Sequence, residues 1–100
     1  MQICHTYERL QSFEWDPAKQ DVNIAKHGIS FQDAQQAFLD PKRVIAVNDK
    51  HSATEARFYY IGRVNDGILT VRFTWRGGRI RIIGAAYWRE GRKLYEDQKH

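Results

Sequence analysis

The sequence predicts an α+β fold with a short N-terminal strand, two helices packed on an antiparallel β-meander, and a C-terminal helix. Apolar residues recur at helical spacing between positions 17 and 41, whereas apolar and polar residues alternate between 57 and 83, as they do along strands. Glycine-containing turn signals interrupt the alternating region, which is typical of hairpins. A length of 100 residues fits a single domain, which we assign to residues 13–98, with residues 1–12 as an extension or lead-in.

A short strand is expected before the first helix, because residues 13–15 alternate apolar and polar side chains. Asp16 is suited to cap the helix and Pro17 to occupy its first position. Gly28 is expected to end the helix. The expected apolar face of this helix consists of Ala18, Val22 and Ala25.

The second helix is predicted to begin at Ser30, which can cap it together with Asp33 in a capping-box pattern. Pro41 lies just beyond its expected end. The apolar stripe consists of Phe31, Ala34, Ala37 and Phe38. The apolar run at 44–47 then predicts a strand, and residues 48–54 predict a polar loop.

The meander is predicted to consist of strands at 57–64, 68–76 and 79–83. A Gly77-Gly78 turn would pair Trp75 with Ile80. An Asp66-Gly67 turn would pair Tyr60 with Phe73. Both registers keep apolar side chains on one face, which we expect beneath the helices: Phe58, Tyr60, Val71, Phe73, Trp75, Ile80 and Ile82. The opposite face would carry Arg57, Tyr59, Arg63, Arg72, Arg76, Arg79 and Arg81.

A C-terminal helix is expected from Trp88, supported by the Arg92–Glu96 pair at i,i+4 spacing. No apolar run approaches the length of a membrane span, and the N-terminus lacks the apolar segment of a secretory signal. Cys4 has no partner for an internal disulfide. We therefore expect a cytoplasmic protein. The four scattered histidines lack metal-ligand spacing, so we expect no metal and no cofactor.

Positive charge is concentrated in the strand-forming part of the chain. Residues 57–93 carry nine basic and two acidic side chains. Alternation would place most of these arginines on one sheet face, which suits phosphate groups because guanidinium makes bidentate, permanently charged contacts. Tyr59 and Tyr87 could stack on bases there. The alternatives are a solvated face and a docking face for an acidic protein.

Phosphodiester cleavage would need a general base, a cation on the phosphoryl oxygens and an acid for the leaving group. Glu55 and Arg57 lie two residues apart, so in an extended chain both side chains point the same way. His51 precedes them in the polar loop, with a pKa range suited to proton transfer. The spacing alone is equally consistent with an ordinary ion pair and an exposed loop histidine.

Several motifs resemble those of BrnT-type toxins and occur in the same order. They cover residues 13–96, and the quoted segments are Phe13–Pro17, Lys26–Phe31, Ala34, Phe38–Pro41, His51 with Glu55–Phe58, Ile61–Arg63, Arg79–Ile83, Tyr87–Arg89 and Tyr95–Glu96. This resemblance implies a type II toxin with a RelE/ParE-like fold, a ribonuclease that inhibits translation and growth. It also implies a BrnA-type antitoxin, which carries a ribbon-helix-helix domain and represses the shared operon in complex with the toxin.

The resemblance places Glu55, Arg57, Arg63 and Arg81 at matching positions of the family's basic cleft. One position departs from the pattern: many relatives have Ile-Ser-Ala-Arg where this chain has Ile83–Ala86. The arginine is therefore missing at Ala86, so Arg81, Tyr87 or Arg89 would have to substitute for it, or activity would be reduced.

The hypothesis that follows is a metal-independent endoribonuclease toxin that cleaves mRNA. Arg57 and Arg81 would stabilise the transition state, and Glu55 or His51 would transfer protons. The RNA track would comprise Arg63, Arg72, Arg76, Arg79, Tyr87 and Arg89. One alternative is a non-catalytic module whose basic face docks an acidic antitoxin or nucleic acid. Another is a gyrase-directed toxin, because that class shares the implied fold.

Overall fold

The computed structural model describes residues 12–47 and 56–98, which form a five-stranded mixed sheet with helices on both faces. The strands, in chain order, are β1 (Phe13–Glu14), β2 (Val44–Val47), β3 (Phe58–Val64), β4 (Gly67–Arg76) and β5 (Arg79–Ala86). The helices are α1 (Pro17–His27), α2 (Phe31–Ala34), its 3-10 continuation (Gln35–Leu39), and α3 (Arg89–Asp97). The α+β class is confirmed. No helix in the described ranges is long and apolar enough to cross a membrane.

The sheet has the order β1-β5-β4-β3-β2. Strands β3 to β5 form the expected antiparallel meander, and β2 extends it by pairing antiparallel with β3, whereas β1 pairs with β5 in parallel. The parallel pair makes the sheet mixed. The parallel pairing is possible because α1 and the helices that follow it cross over the sheet and carry the chain from β1 at one edge to β2 at the other.

The predicted helix boundaries are confirmed by their caps. The Asp16 carboxylate accepts a hydrogen bond from the Ala18 amide at 2.9 Å. The Ser30 hydroxyl accepts one from the Asp33 amide at 3.0 Å. Gly28 ends α1 with φ 71°, a left-handed conformation that glycine adopts without steric cost.

The main core lies between α1, α2, the 3-10 helix and one face of the sheet, which we call the helix-covered face. Its fully buried side chains include Phe31, Ala34, Ala37, Leu69 and Val71. Gly62 lies directly beneath the 3-10 helix, where a Cβ would come within 2.5 Å of the Ala37 carbonyl oxygen. The backbone of the helix can therefore approach β3 closely only because residue 62 has no side chain.

The predicted apolar face of α1 is wrong. Ala18, Val22 and Ala25 are exposed, and Asn23 faces the sheet instead, 6% exposed. Its side-chain amide donates to the Ile29 carbonyl at 2.9 Å and accepts from the Ala85 amide at 3.1 Å. The short β1 does not reach Ala85, so a polar side chain from α1 satisfies this edge amide of β5.

The predicted β3–β4 turn is displaced by one residue along the chain. Asn65 and Asp66 form the turn and Val64 pairs with Gly67, whereas an Asp66-Gly67 turn was expected. Asn65 has φ 56°, which asparagine tolerates better than most residues. The pairing changes by two residues, so Tyr60 faces Val71 rather than Phe73 while every side chain keeps its predicted face.

Trp75 was expected in the core, but it is 44% exposed. The described helices leave it partly uncovered. Trp75 instead lines an open apolar groove of about 400 Å³ together with Phe13, Leu39, Ile45 and Phe58.

The opposite face, which we call the arginine face, is covered at one end by α3. Ile61, Ile68 and Tyr95 form a second buried cluster there. Gly91 packs so closely that a Cβ would lie 1.9 Å from the Thr70 hydroxyl oxygen. The face is therefore divided into a covered end and an open end, whereas the sequence predicted a single exposed surface.

Candidate active site

Three neighbouring strands and the residue just before β3 each contribute one side chain to a single row across the open end of the arginine face. Thr74 of β4 pairs with Arg81 of β5, and Arg81 pairs with Glu14 of β1. Arg57 continues the β3–β4 register beside Thr74. We call these four residues the arginine row. The predicted catalytic pair, Arg57 and Arg81, thus lies on either side of one threonine.

Thr74 is the buried member of the row. It is 1% exposed although it lies on the open face, so its neighbours on that face cover it. Its hydroxyl donates to the Ala56 carbonyl. This bond ties the start of β3 to β4 and fixes the backbone from which the Arg57 side chain projects.

Arg57 is half-buried, and its Nε atom is fully buried without a hydrogen-bond partner among the described residues. An unsatisfied buried donor on a charged group costs free energy. Because Nε has no exposed surface, an anion would be bound by the terminal N–H groups of this guanidinium.

Glu14 contacts two arginines of β5. One carboxylate oxygen lies 3.1 Å from Arg81 Nη1, and the other lies 3.6 Å from Arg79 Nη1. The side chains of Glu14 and Arg81 are 26% and 27% exposed, whereas Arg79 is 60% exposed. The strands of the meander contain no carboxylate, and the parallel β1 brings this acidic residue onto the face.

Arg72 reaches the open end by lying across a glycine. A bulge in β5 at Ile83 places Gly84 opposite Arg72. A Cβ on residue 84 would come within 2.2 Å of Arg72 Nη2. The half-buried Arg72 side chain therefore occupies space that any other residue at position 84 would fill.

An aromatic pair lies between the row and the covered end of the face, where Tyr59 packs against the second buried cluster. Tyr59 packs edge-on against Trp88, with ring centroids 5.5 Å apart, and Trp88 is 37% exposed. Tyr87 lies elsewhere: its ring packs on Gly67 and its hydroxyl donates to the Val64 carbonyl at 3.5 Å. Of the two predicted stacking residues, Tyr59 thus adjoins the row and Tyr87 borders the β3–β4 turn.

Arg63 lies at the covered end of the face, six residues along β3 from Arg57, which corresponds to about 20 Å. Its backbone amide donates to Asp40 Oδ2 at 2.7 Å, and the Tyr95 hydroxyl donates to the same atom at 2.6 Å. The Arg63 guanidinium lies 5.9 Å from the Tyr95 ring centroid. The structure therefore does not bring Arg63 to the row.

The Asp40 network shifts two pKa values in a consistent way. Burial acts to raise the pKa of Asp40, but hydrogen bonds from Tyr95, Arg63 and Lys42 outweigh it and lower that pKa. The hydrogen bond to Asp40, with burial, raises the pKa of Tyr95. Both shifts favour an ionised Asp40 beside a neutral Tyr95, which joins α3 to the end of the 3-10 helix.

The other predicted residues fall in different places. Arg76 and Arg79 pair directly across the β4–β5 hairpin, beyond the row, and Arg89 is exposed at the start of α3. His51 and Glu55 lie outside the described residues, so their proton-transfer roles stay predictions. Within the described ranges, no three histidine, cysteine or acidic side chains group as metal ligands would.

Glu14 is the site residue that the sequence reasoning missed. A signal was present, because Phe13 and Trp15 on either side of it pack against the core. A residue between two core side chains of an extended segment must face the other way. Only the β1–β5 pairing, however, identifies which residues it meets.

Comparison with known families gives one match. The family model described as "Ribonuclease toxin, BrnT, of type II toxin-antitoxin system" matches residues 15–91. That range includes α1 to β5 and the first turn of α3, and it contains every member of the arginine row except Glu14. No curated protein gives a significant match.

Proposed function

Because the chain belongs to the BrnT family of ribonuclease toxins of type II toxin-antitoxin systems, we propose that it is a metal-independent endoribonuclease. It cleaves mRNA in the cytoplasm and thereby inhibits translation and growth. The observation that carries this proposal is the arginine row, where Arg57 and Arg81 lie on either side of Thr74. The helices that precede the meander and the helix that follows it also support a RelE/ParE-like fold.

The row suits a reaction in which the RNA supplies its own nucleophile. The ribose 2′-oxygen attacks phosphorus, the bond from phosphorus to the 5′-oxygen breaks, and a 2′,3′-cyclic phosphate and a 5′-hydroxyl result. Negative charge builds up on the non-bridging oxygens in the transition state. Two preorganised guanidinium groups stabilise that charge, which is commonly the largest single contribution to catalysis.

Two proton transfers complete the reaction. A base takes the proton from the 2′-hydroxyl, and an acid gives a proton to the leaving 5′-oxygen. Glu55 and His51 are the proposed pair, because they precede Arg57 in the chain by two and six residues. Their assignment to base and acid is open.

RNA on either side of the scissile phosphate would follow the open end of the face. Arg76 and Arg79 extend from the row towards the β4–β5 hairpin, whereas Arg72 lies on the opposite side of the row, across Gly84. The charges of all three suit backbone phosphates. On the other side, Tyr59, Trp88 and Arg89 offer a stacking surface next to a cation. Tyr87 would contribute only to RNA that reaches the β3–β4 turn.

A type II system supplies a protein antitoxin, and we propose one of the BrnA type with a ribbon-helix-helix domain. Operator DNA would then be bound by the complex through the antitoxin. An acidic segment of the antitoxin that covers the arginine row would block RNA directly.

The test is incubation of the purified chain with an RNA oligonucleotide in EDTA, comparing wild type with Arg57→Ala and Arg81→Ala. Arg92→Ala is the matched control, because Arg92 pairs with Glu96 on α3, away from the row. We expect a cyclic phosphate product from wild type and the control alone. Equal background from all four proteins would contradict the proposal.

Ala86 favours a second candidate, a binding module without catalysis. Where many relatives have arginine, this residue is 7% exposed and lies opposite Thr70 in the part of the sheet beneath α3. If that arginine is indispensable in relatives, this chain would bind RNA or antitoxin without cleaving. Tight RNA binding without product in the same assay would identify this case.

A further inference from the structure

Glu14 enters the arginine row from outside the meander and contacts both β5 arginines of the open end. Its two carboxylate oxygens are divided between them, one 3.1 Å from Arg81 and one 3.6 Å from Arg79. The Glu14–Arg81 pair is a directed hydrogen bond as well as an ion pair. The contact therefore constrains the orientation of the Arg81 guanidinium in addition to balancing its charge.

The contribution of this ion pair to fold stability is too small to explain why Glu14 lies beside these arginines. Glu14 and Arg81 each remain about one quarter exposed, and ion pairs of this kind contribute at most about 1 kcal/mol. Strand β1 is already held by Phe13 packing against the core and by the Ile80 amide donating to the Ser12 carbonyl at 3.0 Å. A carboxylate on a surface that must attract phosphate opposes binding, so its presence needs another reason.

We propose that Glu14 is a positioning residue for cleavage, which fixes Arg81 so that its remaining N–H groups point at the scissile phosphate. This inference rests on the proposed ribonuclease function. A guanidinium has five N–H donors in a rigid plane. If Glu14 holds the Nη1 side, the rest of the plane is aimed along the row towards Thr74 and Arg57.

The position of Glu14 does not suit a general base. Both of its oxygens already face guanidinium groups, so a 2′-hydroxyl would have to displace an arginine to reach them. Displacement would also release the cation that the transition state needs. Positioning and proton abstraction therefore make different predictions for the same substitution.

The positioning role predicts opposite effects on rate and on affinity. In Glu14→Gln the negative charge is lost while the shape is kept. Arg81 would be less well oriented, which lowers kcat by about 10- to 100-fold. Arg79 and Arg81 would both be free to meet phosphates, so RNA binds more tightly and the salt dependence of log Kd steepens by about 0.7 per added phosphate contact. Simple unfolding cannot produce a gain in affinity.

The experiment compares wild type, Glu14→Gln and Asp21→Asn as single-turnover enzymes and as binders of a non-cleavable 2′-O-methyl RNA over a range of salt concentrations. Asp21→Asn removes the same charge from an exposed position on α1 and should leave rate and affinity as in wild type. Thermal unfolding confirms that all three proteins fold. A lower kcat with tighter, more salt-dependent binding for Glu14→Gln supports the proposal.

Two kinetic results would overturn it. An unchanged rate in Glu14→Gln would mean that Arg81 needs no positioning. A loss above about 1,000-fold together with loss of the acidic limb of the pH–rate profile would make Glu14 the base itself.

A readout independent of cleavage separates this inference from the proposed function. In wild type, the Arg81 side-chain N–H resonances should exchange slowly with solvent, and in Glu14→Gln they should exchange fast. If wild type does not cleave RNA, the proposed function fails, and the exchange rates still decide whether Glu14 orders Arg81. Equal exchange in both proteins would reject the positioning role.

Discussion

The two ends of the arginine face have similar sequences and different surroundings. At the open end, Arg57 and Arg81 are half-buried beside a buried threonine. At the covered end, Arg63 lies against Tyr95 of α3, and its own amide binds Asp40. All three arginines alternate with apolar residues in the same way along their strands.

The difference lies in the partners of the guanidinium groups and not in their exposure, because Arg63 is exposed whereas Arg57 and Arg81 are half-buried. Where α3 packs on the sheet, a guanidinium is matched by an aromatic ring and a nearby carboxylate of the chain itself. At the open end, Arg81 pairs with Glu14, and the buried Nε of Arg57 has no hydrogen-bond partner among the described residues. The partners of each strand arginine, rather than its exposure, therefore distinguish the two ends.

The largest expected effect separates the two ends directly. Arg81→Ala should lower kcat on RNA by about 100- to 1,000-fold, because it removes a preorganised cation from the transition state. Arg63→Ala should cleave at the wild-type rate and lose about 0.5–1 kcal/mol of folding free energy with its cation–π contact. Single-turnover kinetics and urea unfolding measure the two quantities. Similar rate losses in both variants would remove the distinction.

The second effect concerns the covered end alone. Asp40→Asn should lower the free energy of unfolding by about 1–3 kcal/mol, because a carboxylate that accepts from Tyr95, Arg63 and Lys42 is weakened. Cleavage per folded molecule should not change. Asp33→Asn, at an exposed carboxylate of α2, is the control.

This effect should depend on pH. Since the pKa of Asp40 is lowered in the folded protein, its stabilising contribution is present above the unfolded value of 3.8 and is lost as pH falls through the folded value. The difference in free energy of unfolding between wild type and Asp40→Asn should therefore be largest at neutral pH and decrease as the pH falls below 3.8. Urea unfolding at pH 7, 5 and 3 measures it, and a difference that grew towards acid would contradict the assignment.

The third effect concerns the position of the Arg72 side chain over Gly84. Gly84→Ala places a methyl group about where Arg72 Nη2 lies and should displace the guanidinium. We expect about a tenfold lower kcat, equivalent to about 1.4 kcal/mol. Arg72→Ala should lose as much, and the double variant should lose no more than either single one. Additive losses would show that Gly84 acts by another route.

The smallest effect concerns the exposed edge of the site. Arg89→Ala should weaken binding of 2′-O-methyl RNA only slightly and reduce the salt slope by about 0.7, as expected for one phosphate contact to a single strand. The rate at saturating RNA should stay unchanged. A large fall in kcat would instead place Arg89 in the catalytic machinery.

Patterns that act over a few residues were predicted well. The caps Asp16, Ser30 and Gly28 lie where expected, and the Arg92–Glu96 pair of α3 forms at 2.9 Å. The register across Gly77-Gly78 is also confirmed, since Trp75 pairs with Ile80. In each case the determining interaction joins residues close in the chain.

Features that depend on distant elements were predicted poorly. Asn23 was not expected to face the sheet, because the amide it satisfies belongs to β5, 62 residues away. Trp75 was expected to be buried, because the sequence does not reveal how far the helices extend over the sheet. The arginine row was expected as a uniformly cationic surface, and Glu14 was not foreseen in it.

The sequence by itself determined the order of elements, the two faces of the meander and the concentration of arginine on one of them, because side-chain alternation is a local property of an extended chain. Tertiary structure alone decided that β1 runs parallel to β5 and that α3 covers only one end of the face. The β1–β5 pairing and the placement of α3 both depend on the balance of packing over the whole domain. They bring Glu14 beside Arg81 and place Arg63 against Tyr95.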